Sequence, residues 1–123
     1  ALLRTESRLV PEGLRSYLSR ELEVDLAGAF AALGASMFDR GRYEEAFQAW
    51  SRGTVLDAGH PELRAGLARL DARAREYSKE AELASQRGDP DICALWKRIT
   101  RMTSAESDVH KNARERAFRA CKG

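Results

Sequence analysis

The sequence from Phe30 to Trp50 reads FAALGASMFDRGRYEEAFQAW and gives the clearest indication of the fold. Gly41 interrupts it, and apolar residues recur every three or four positions on both sides. These residues are Phe30, Leu33 and Met37 before the glycine and Ala46, Phe47 and Trp50 after it. Such spacing places side chains on one face of a helix. The stretch therefore predicts two helices joined by a glycine-containing turn.

The same periodicity continues along the chain, divided by short segments that contain Gly, Pro, Asp and Ser. No segment shows the alternation of apolar and polar residues that half-buried strands require. We expect helices over residues 12–40, 43–56, 61–87, 91–102 and 107–121, and a break near Glu23 is left open. The 123 residues suit a single domain. We therefore predict an all-α fold of about five helices.

Composition excludes some classes of function. Hydrophobic residues make up 43% of the chain, and its net charge is only +2. Because nucleic-acid binders usually carry a strong basic excess, we expect no nucleic acid partner. No apolar run approaches the roughly 20 residues that span a bilayer, so we expect no direct membrane insertion by this segment. No signal peptide opens the chain, but it begins at Ala1, so we expect that a targeting segment could precede it. The compartment stays open, with the cytoplasm slightly favoured and the periplasm as the alternative.

An internal repeat links the two halves of the chain. The segment 41–50 aligns with 88–97 at an offset of 47 residues. Upstream, the same offset aligns Phe30, Leu33, Gly34 and Met37 with Tyr77, Glu80, Ala81 and Ala84. Both units have the pattern helix, glycine-containing turn, helix. A lone helix pair cannot bury its apolar face, so such units stack and a terminal helix covers the last one.

The first unit resembles a tetratricopeptide repeat, a family of stacked helix pairs. The matching residues are Phe30, Leu33-Gly34, Met37, Ala46 and Trp50, with 41–46 similar to the turn of the family. Met37 replaces an aromatic residue, Gly53 stands where Ala is common, and Pro61 comes late. The second unit departs further, at Glu80 and Cys93. The resemblance implies antiparallel helical hairpins in a short α-solenoid: an N-terminal helix segment (1–26), a first unit (27–60), an elongated second unit (61–105) and a capping helix (106–123).

The resemblance also implies a function, a protein–protein interaction scaffold that binds a peptide or helix of another protein. Contacts in this family come from the exposed side of the first helix of each unit. Carried onto this chain, they are Ala31, Ala35, Phe38, Asp39, Arg75, Ser78, Glu82 and Gln86. Phe38 is the favoured anchor, because it lies off the apolar stripe, and burial against the N-terminal helix is the alternative. The expected setting is a larger bacterial multidomain protein or assembly. Two other functions stay open: a structural oligomerisation or spacer domain, and an enzyme accessory domain.

Small residues predict where the first two helices cross. We expect Gly34 and Ala46 to face each other, because a bulky residue at either position would push the helices apart. Trp50 and Trp96 are expected in the core. The third predicted helix carries apolar residues at alternating spacings of four and three, a narrow seam for another helix. That seam in 61–87 predicts internal packing, with a homodimer as the alternative.

The chain offers no convincing catalytic or metal-binding pattern, so we expect no enzyme, metal or cofactor. Glu44 and Glu45 open a predicted helix, where carboxylates interact favourably with the helix dipole. His60 precedes Pro61 and is interpreted as a helix cap or an exposed residue. His110 has no nucleophile at a suitable spacing.

The two cysteines, Cys93 and Cys121, lie on the last two predicted helices. A hairpin turn near Ala105 would offset them by about 6 Å along the helix axes, at 1.5 Å per residue. This offset makes a disulfide geometrically marginal. We therefore expect small buried free cysteines, with a disulfide as the alternative.

Overall fold

The computed structural model describes residues 12–122, and describes side chains for Leu22 and from Asp25 onward. Five helices account for most of this range: α1 (Glu12–Asp39), α2 (Tyr43–Leu56), α3 (Pro61–Gln86), α4 (Ile92–Arg101) and α5 (Asp108–Ala120). Residues 12–122 contain no strand. The predicted all-α fold and its helix boundaries are confirmed to within one or two residues. Helix α1 runs without a break through Glu23, whereas residues 1–11 of the predicted N-terminal helix segment (1–26) lie outside the described residues.

Helices α1 and α3 end in the same way, at equivalent positions of the internal repeat. Gly41 and Gly88 have φ angles of 76° and 70°, which a glycine adopts without steric cost. After each glycine the next amide returns to the helix, from Arg42 to the Met37 carbonyl at 2.9 Å and from Asp89 to the Ala84 carbonyl at 3.0 Å. This is the Schellman ending of a helix. Both long helices are therefore terminated by the same local structure at the predicted offset.

Consecutive helices pack as antiparallel hairpins, and α3 is the central helix. Contacts link α3 to each of the other four helices. Its start is fixed locally, because the Nδ1 atom of His60 accepts a hydrogen bond from the Leu63 amide at 3.4 Å and Pro61 occupies the first turn. The expected capping role of His60 is thus confirmed.

The core of the first half is built around Trp50, which is 1% exposed. Its indole lies between Gly34 of α1 and Gly66 of α3, where any Cβ atom would overlap with the ring. Ala46 is buried one turn away, but the side chain that covers Gly34 is Trp50. The close helix crossing at Gly34 is confirmed, with Trp50 rather than Ala46 as the opposing residue.

The same core continues into the second half around Trp96, which is also 1% exposed. Ile99 and Met102 from the end of α4 join it, together with small residues of α5 such as Ala113. The predicted core position of both tryptophans is confirmed. Because α5 contributes mainly alanines, it packs close to α3 and α4 with little side-chain volume between them.

The seam of α3 is used inside the chain. Leu63, Leu70, Ala74 and Ala81 are buried against neighbouring helices. The interpretation as internal packing is confirmed for these residues. Leu33 was expected on the internal stripe of α1, but it is 46% exposed, because α2 and α3 cover the adjacent face of that helix.

Cys93 and Cys121 form a disulfide with 5.0 Å between their Cα atoms. The expectation of two buried free cysteines is wrong, since Cys93 is half-buried and Cys121 is exposed. The connection 102–107 between α4 and α5 is not helical. The tight turn assumed near Ala105 is therefore replaced by a longer connection, and the axial offset derived from that turn does not apply.

Candidate functional site

A groove lies between α1 and α3 and has a volume of about 250 Å³. We call it the α1–α3 groove. Its lining residues are Ala31, Ala32 and Ala35 of α1, Trp50 of α2, and Glu62, Ala65, Gly66 and Arg69 of α3. Small side chains form the α1 wall and the middle of the α3 wall, which Glu62 and Arg69 flank. Another segment of polypeptide could therefore approach the backbones of α1 and α3 closely.

The base of the groove is rigid. The Trp50 Nε1 atom donates a hydrogen bond to the Ala31 carbonyl at 3.0 Å, across the α1–α2 contact. Gly34 and Gly66 hold the indole between them. Since a buried, hydrogen-bonded tryptophan has little freedom to reorient, the shape of the groove exists before anything binds.

The two ends of the groove carry opposite charges. Glu62 lies in the first turn of α3, and Arg69 lies two turns further along the same helix. The Arg69 guanidinium stacks on the Phe38 ring, 4.3 Å from its centroid. That ring also packs against Tyr43 and Trp50, with centroid distances of 5.0 and 5.8 Å.

The residues predicted as contacts in the first unit have mixed positions. Ala31 and Ala35 both line the groove, but the expectation that Ala31 is exposed is wrong, since it is 3% exposed and faces the α2 contact. Phe38 is half-buried beneath Arg69, because α3 crosses the end of α1 at this point. The alternative, burial against the N-terminal helix, does not match these contacts, because Arg69 of α3 and Tyr43 and Trp50 of α2 cover the ring; the role of Phe38 as an anchor stays a prediction. Asp39 is exposed at the end of α1, outside the groove lining.

The residues predicted as contacts in the second unit lie away from this groove. Glu82 forms an ion pair with Arg116 of α5. Arg75 is exposed and pairs with Asp71, with 3.2 Å between its Nη2 and the carboxylate Oδ2. The two predicted sets are therefore not brought together in one surface.

The other two members of that set differ in exposure. Gln86 is exposed at the end of α3. The Ser78 hydroxyl is buried and has no hydrogen-bond partner among the described residues.

Four residues of the groove were not predicted: Glu62, Ala65, Gly66 and Arg69. They belong to the first half of α3, which the sequence analysis placed in the elongated second unit (61–105), whereas its predicted contacts for that unit all lie in the second half of the helix. Gly66 carried a usable signal. A glycine within a helical pattern often marks a close approach of backbone and side chain.

A second arginine ties α3 to the α1–α2 turn. The Arg73 Nε donates to the Tyr43 hydroxyl at 3.1 Å, and its Nη1 lies 2.8 Å from the Glu76 carboxylate. These hydrogen bonds raise the pKa of Arg73 above its ordinary value, and the bond to Tyr43 has the larger effect. Arg73 therefore stays charged at every physiological pH.

The histidines serve local structure. His110 lies 3.1 Å from the Thr103 hydroxyl, which also donates to the Ile99 carbonyl at 2.7 Å. Within residues 12–122, no cluster of His, Cys, Asp and Glu could hold a metal ion. Over the same range, no helix has the length and apolar character needed to cross a membrane.

Comparison of the chain with protein-family models, with curated proteins and with solved structures found no match.

Proposed function

We propose that the chain is a protein-interaction scaffold that holds a peptide or helix of a partner protein in the α1–α3 groove. The observation that carries this proposal is a groove with small-residue walls over a fixed, buried Trp50. A rigid surface of this kind limits the entropy lost on association. The proposed role is non-catalytic and needs no cofactor.

The arrangement of the repeat supports a tetratricopeptide-like solenoid. Pro61, the first residue of α3, and Asp108, the first residue of α5, lie at the same 47-residue offset as the two glycine turns. Their capping residues, His60 and Ser107, share an extended backbone conformation. In such a solenoid, α1, α3 and α5 are the successive first helices, so the groove between α1 and α3 is the position where that family binds partners.

The disulfide supports a proposal about the compartment. Disulfides form and persist in oxidising compartments and are rare in the cytosol. The Cys93–Cys121 bond therefore favours the periplasm over the cytoplasm, and we propose that the chain is part of a larger bacterial multidomain protein or assembly in that compartment.

Blocking the groove tests the proposed function. Peptides would be selected from a random displayed library on the wild-type chain, and their affinities measured by fluorescence anisotropy. Ala65→Trp fills the groove, so we expect it to weaken binding by about tenfold or more. The control, Ala68→Trp, changes an exposed alanine of α3 outside the groove and should leave binding unchanged. Equal affinities for the two variants would reject the groove as the binding site.

A structural role in oligomerisation is the second candidate, and one observation favours it. Leu22, Leu26 and Leu33 are 65%, 53% and 46% exposed on α1. With Ala29, they follow the spacing of four, three and four that pairs helices in coiled coils. A second copy of the same helix fits this spacing, so the candidate is a homodimer through α1.

A further inference from the structure

The α1–α3 groove has an internal counterpart in the second half of the chain. At the offset of 47 residues, Arg69 corresponds to Arg116 and Ala35 corresponds to Glu82. Both arginines lie over aromatic rings, Arg69 over Phe38 at 4.3 Å and Arg116 over Trp96 at 5.7 Å, although the two rings are not at equivalent positions of the repeat. The two regions are therefore comparable, and the differences between them are informative.

In the second half, the arginine has a carboxylate partner. Glu82 of α3 reaches Arg116 of α5, and this ion pair joins the two helices. In the first half, the position of Glu82 is taken by Ala35, which supplies no charge. Among the residues whose side chains are described, Arg69 forms no ion pair.

We infer that the partner segment bound in the α1–α3 groove provides an acidic side chain to Arg69, in the role that Glu82 has toward Arg116 within the chain. This inference rests on the proposed function. It adds the chemistry of the partner: a carboxylate placed over Ala35, where the small side chain leaves room for it.

Stacking prepares Arg69 for this contact. A guanidinium that lies over an aromatic ring keeps its edge N–H groups directed away from the ring and free to bind a carboxylate in a bidentate manner. Because Phe38 is itself held by Tyr43 and Trp50, the position of the arginine is restrained before binding.

The opposite end of the groove carries a negative charge and adds a second requirement for the partner. Glu62 lies two helical turns from Arg69, about 10 Å along the axis of α3. A uniformly acidic partner, or the phosphates of a nucleic acid, would be repelled by this carboxylate. The complementary partner is a peptide with an acidic residue and, about 10 Å away, a basic one, separated by small residues.

The selected peptides described above test this inference directly. We expect them to share an Asp or Glu, and we expect Arg69→Gln to weaken their binding by about ten- to a hundredfold, the range for a charge-assisted hydrogen bond. Arg64→Gln is the matched control, because Arg64 is an exposed arginine of the same helix outside the groove lining. In a charge exchange, the Arg69→Glu variant is combined with a peptide in which Arg replaces the acidic residue. This pair should recover much of the affinity that Arg69→Glu loses for the original peptide.

A second variant places the carboxylate within the chain. Ala35→Glu reproduces the Glu82–Arg116 arrangement, so it should keep the helical circular dichroism spectrum and abolish peptide binding. Ala35→Gln, which has nearly the same size without the charge, should bind more tightly than Ala35→Glu.

The outcomes separate the two proposals. Peptides that bind in the groove without an acidic residue, or equal binding to Arg69→Gln and Arg64→Gln, would overturn the inference and leave the proposed function intact. A selection that yields no peptide sensitive to Ala65→Trp would overturn the proposed function and, with it, the inference.

Discussion

At the scale of single residues, glycines decide where large side chains go. Gly34 and Gly66 leave the space that Trp50 occupies, and Gly53 leaves the space for Leu63. A methyl group at any of these three positions would overlap with its neighbour. The burial of one tryptophan therefore depends on residues from two other helices.

Replacing one of these glycines tests that dependence. Gly34→Ala should lower the free energy of unfolding by about 1–3 kcal/mol, because the added methyl displaces the Trp50 ring. The control is Gly28→Ala in the same helix, where nothing lies within 4 Å of the added Cβ. It should raise stability by about 0.5–1 kcal/mol through helix propensity. Urea titrations followed by circular dichroism measure both, and similar effects of the two substitutions would contradict the assigned helix crossing.

At the scale of helices, local structure fixes some helix ends and a covalent bond fixes others. Glycine turns end α1 and α3, whereas the start of α4 is held to the end of α5 by the Cys93–Cys121 disulfide. Helix α4 has only ten residues, and a helix of that length is marginal without tertiary support. The disulfide stabilises this hairpin by restricting the unfolded chain.

Removing the disulfide should therefore have a large effect. The cysteines are separated by 28 residues, for which chain entropy predicts a loss of about 3–4 kcal/mol in the double variant Cys93→Ser, Cys121→Ser. A reducing agent should lower the stability of the wild-type chain by a similar amount and leave the double variant unaffected. Denaturation midpoints measured with and without the reductant check this. A wild-type midpoint that does not respond to reduction would show that the bond contributes nothing.

At the scale of the whole molecule, α3 joins the two halves into one body. Its first half forms one wall of the α1–α3 groove, and its second half holds α5 through Glu82. Helix α1, in contrast, leaves Leu22 and Leu26 exposed on its outer face. The two candidate functions thus use different surfaces and can be separated by mutation.

The oligomerisation candidate predicts a dimer in analytical ultracentrifugation at tens of micromolar. Leu26→Lys should dissociate that dimer, because it places a charge in the centre of the proposed helix pair. Leu83→Lys is the control, because Leu83 is a similarly exposed leucine, 55% accessible, on α3. A wild-type chain that sediments as a monomer at this concentration would exclude the oligomerisation candidate and leave the groove proposal untouched.

The sequence alone determined the features that depend on neighbouring residues. Apolar spacing located the five helices of the described residues, and glycines marked the turns at Gly41 and Gly88. The position before Pro61 limited His60 to a helix cap or an exposed residue, and the cap is correct. Each depends on interactions within a few residues along the chain, and these interactions have regular spacings.

The contacts between side chains of different helices could not be predicted from the sequence, because they depend on how the helices are placed relative to one another. The stacking of Arg69 on Phe38, the Glu82–Arg116 ion pair and the disulfide at Cys121 all join residues far apart in sequence. One residue along a helix turns the side chain by about 100°, so a small change in how two helices are placed decides between contact and exposure. That placement depends on loop geometry and on the packing of all five helices together, neither of which leaves a periodic signal in the sequence.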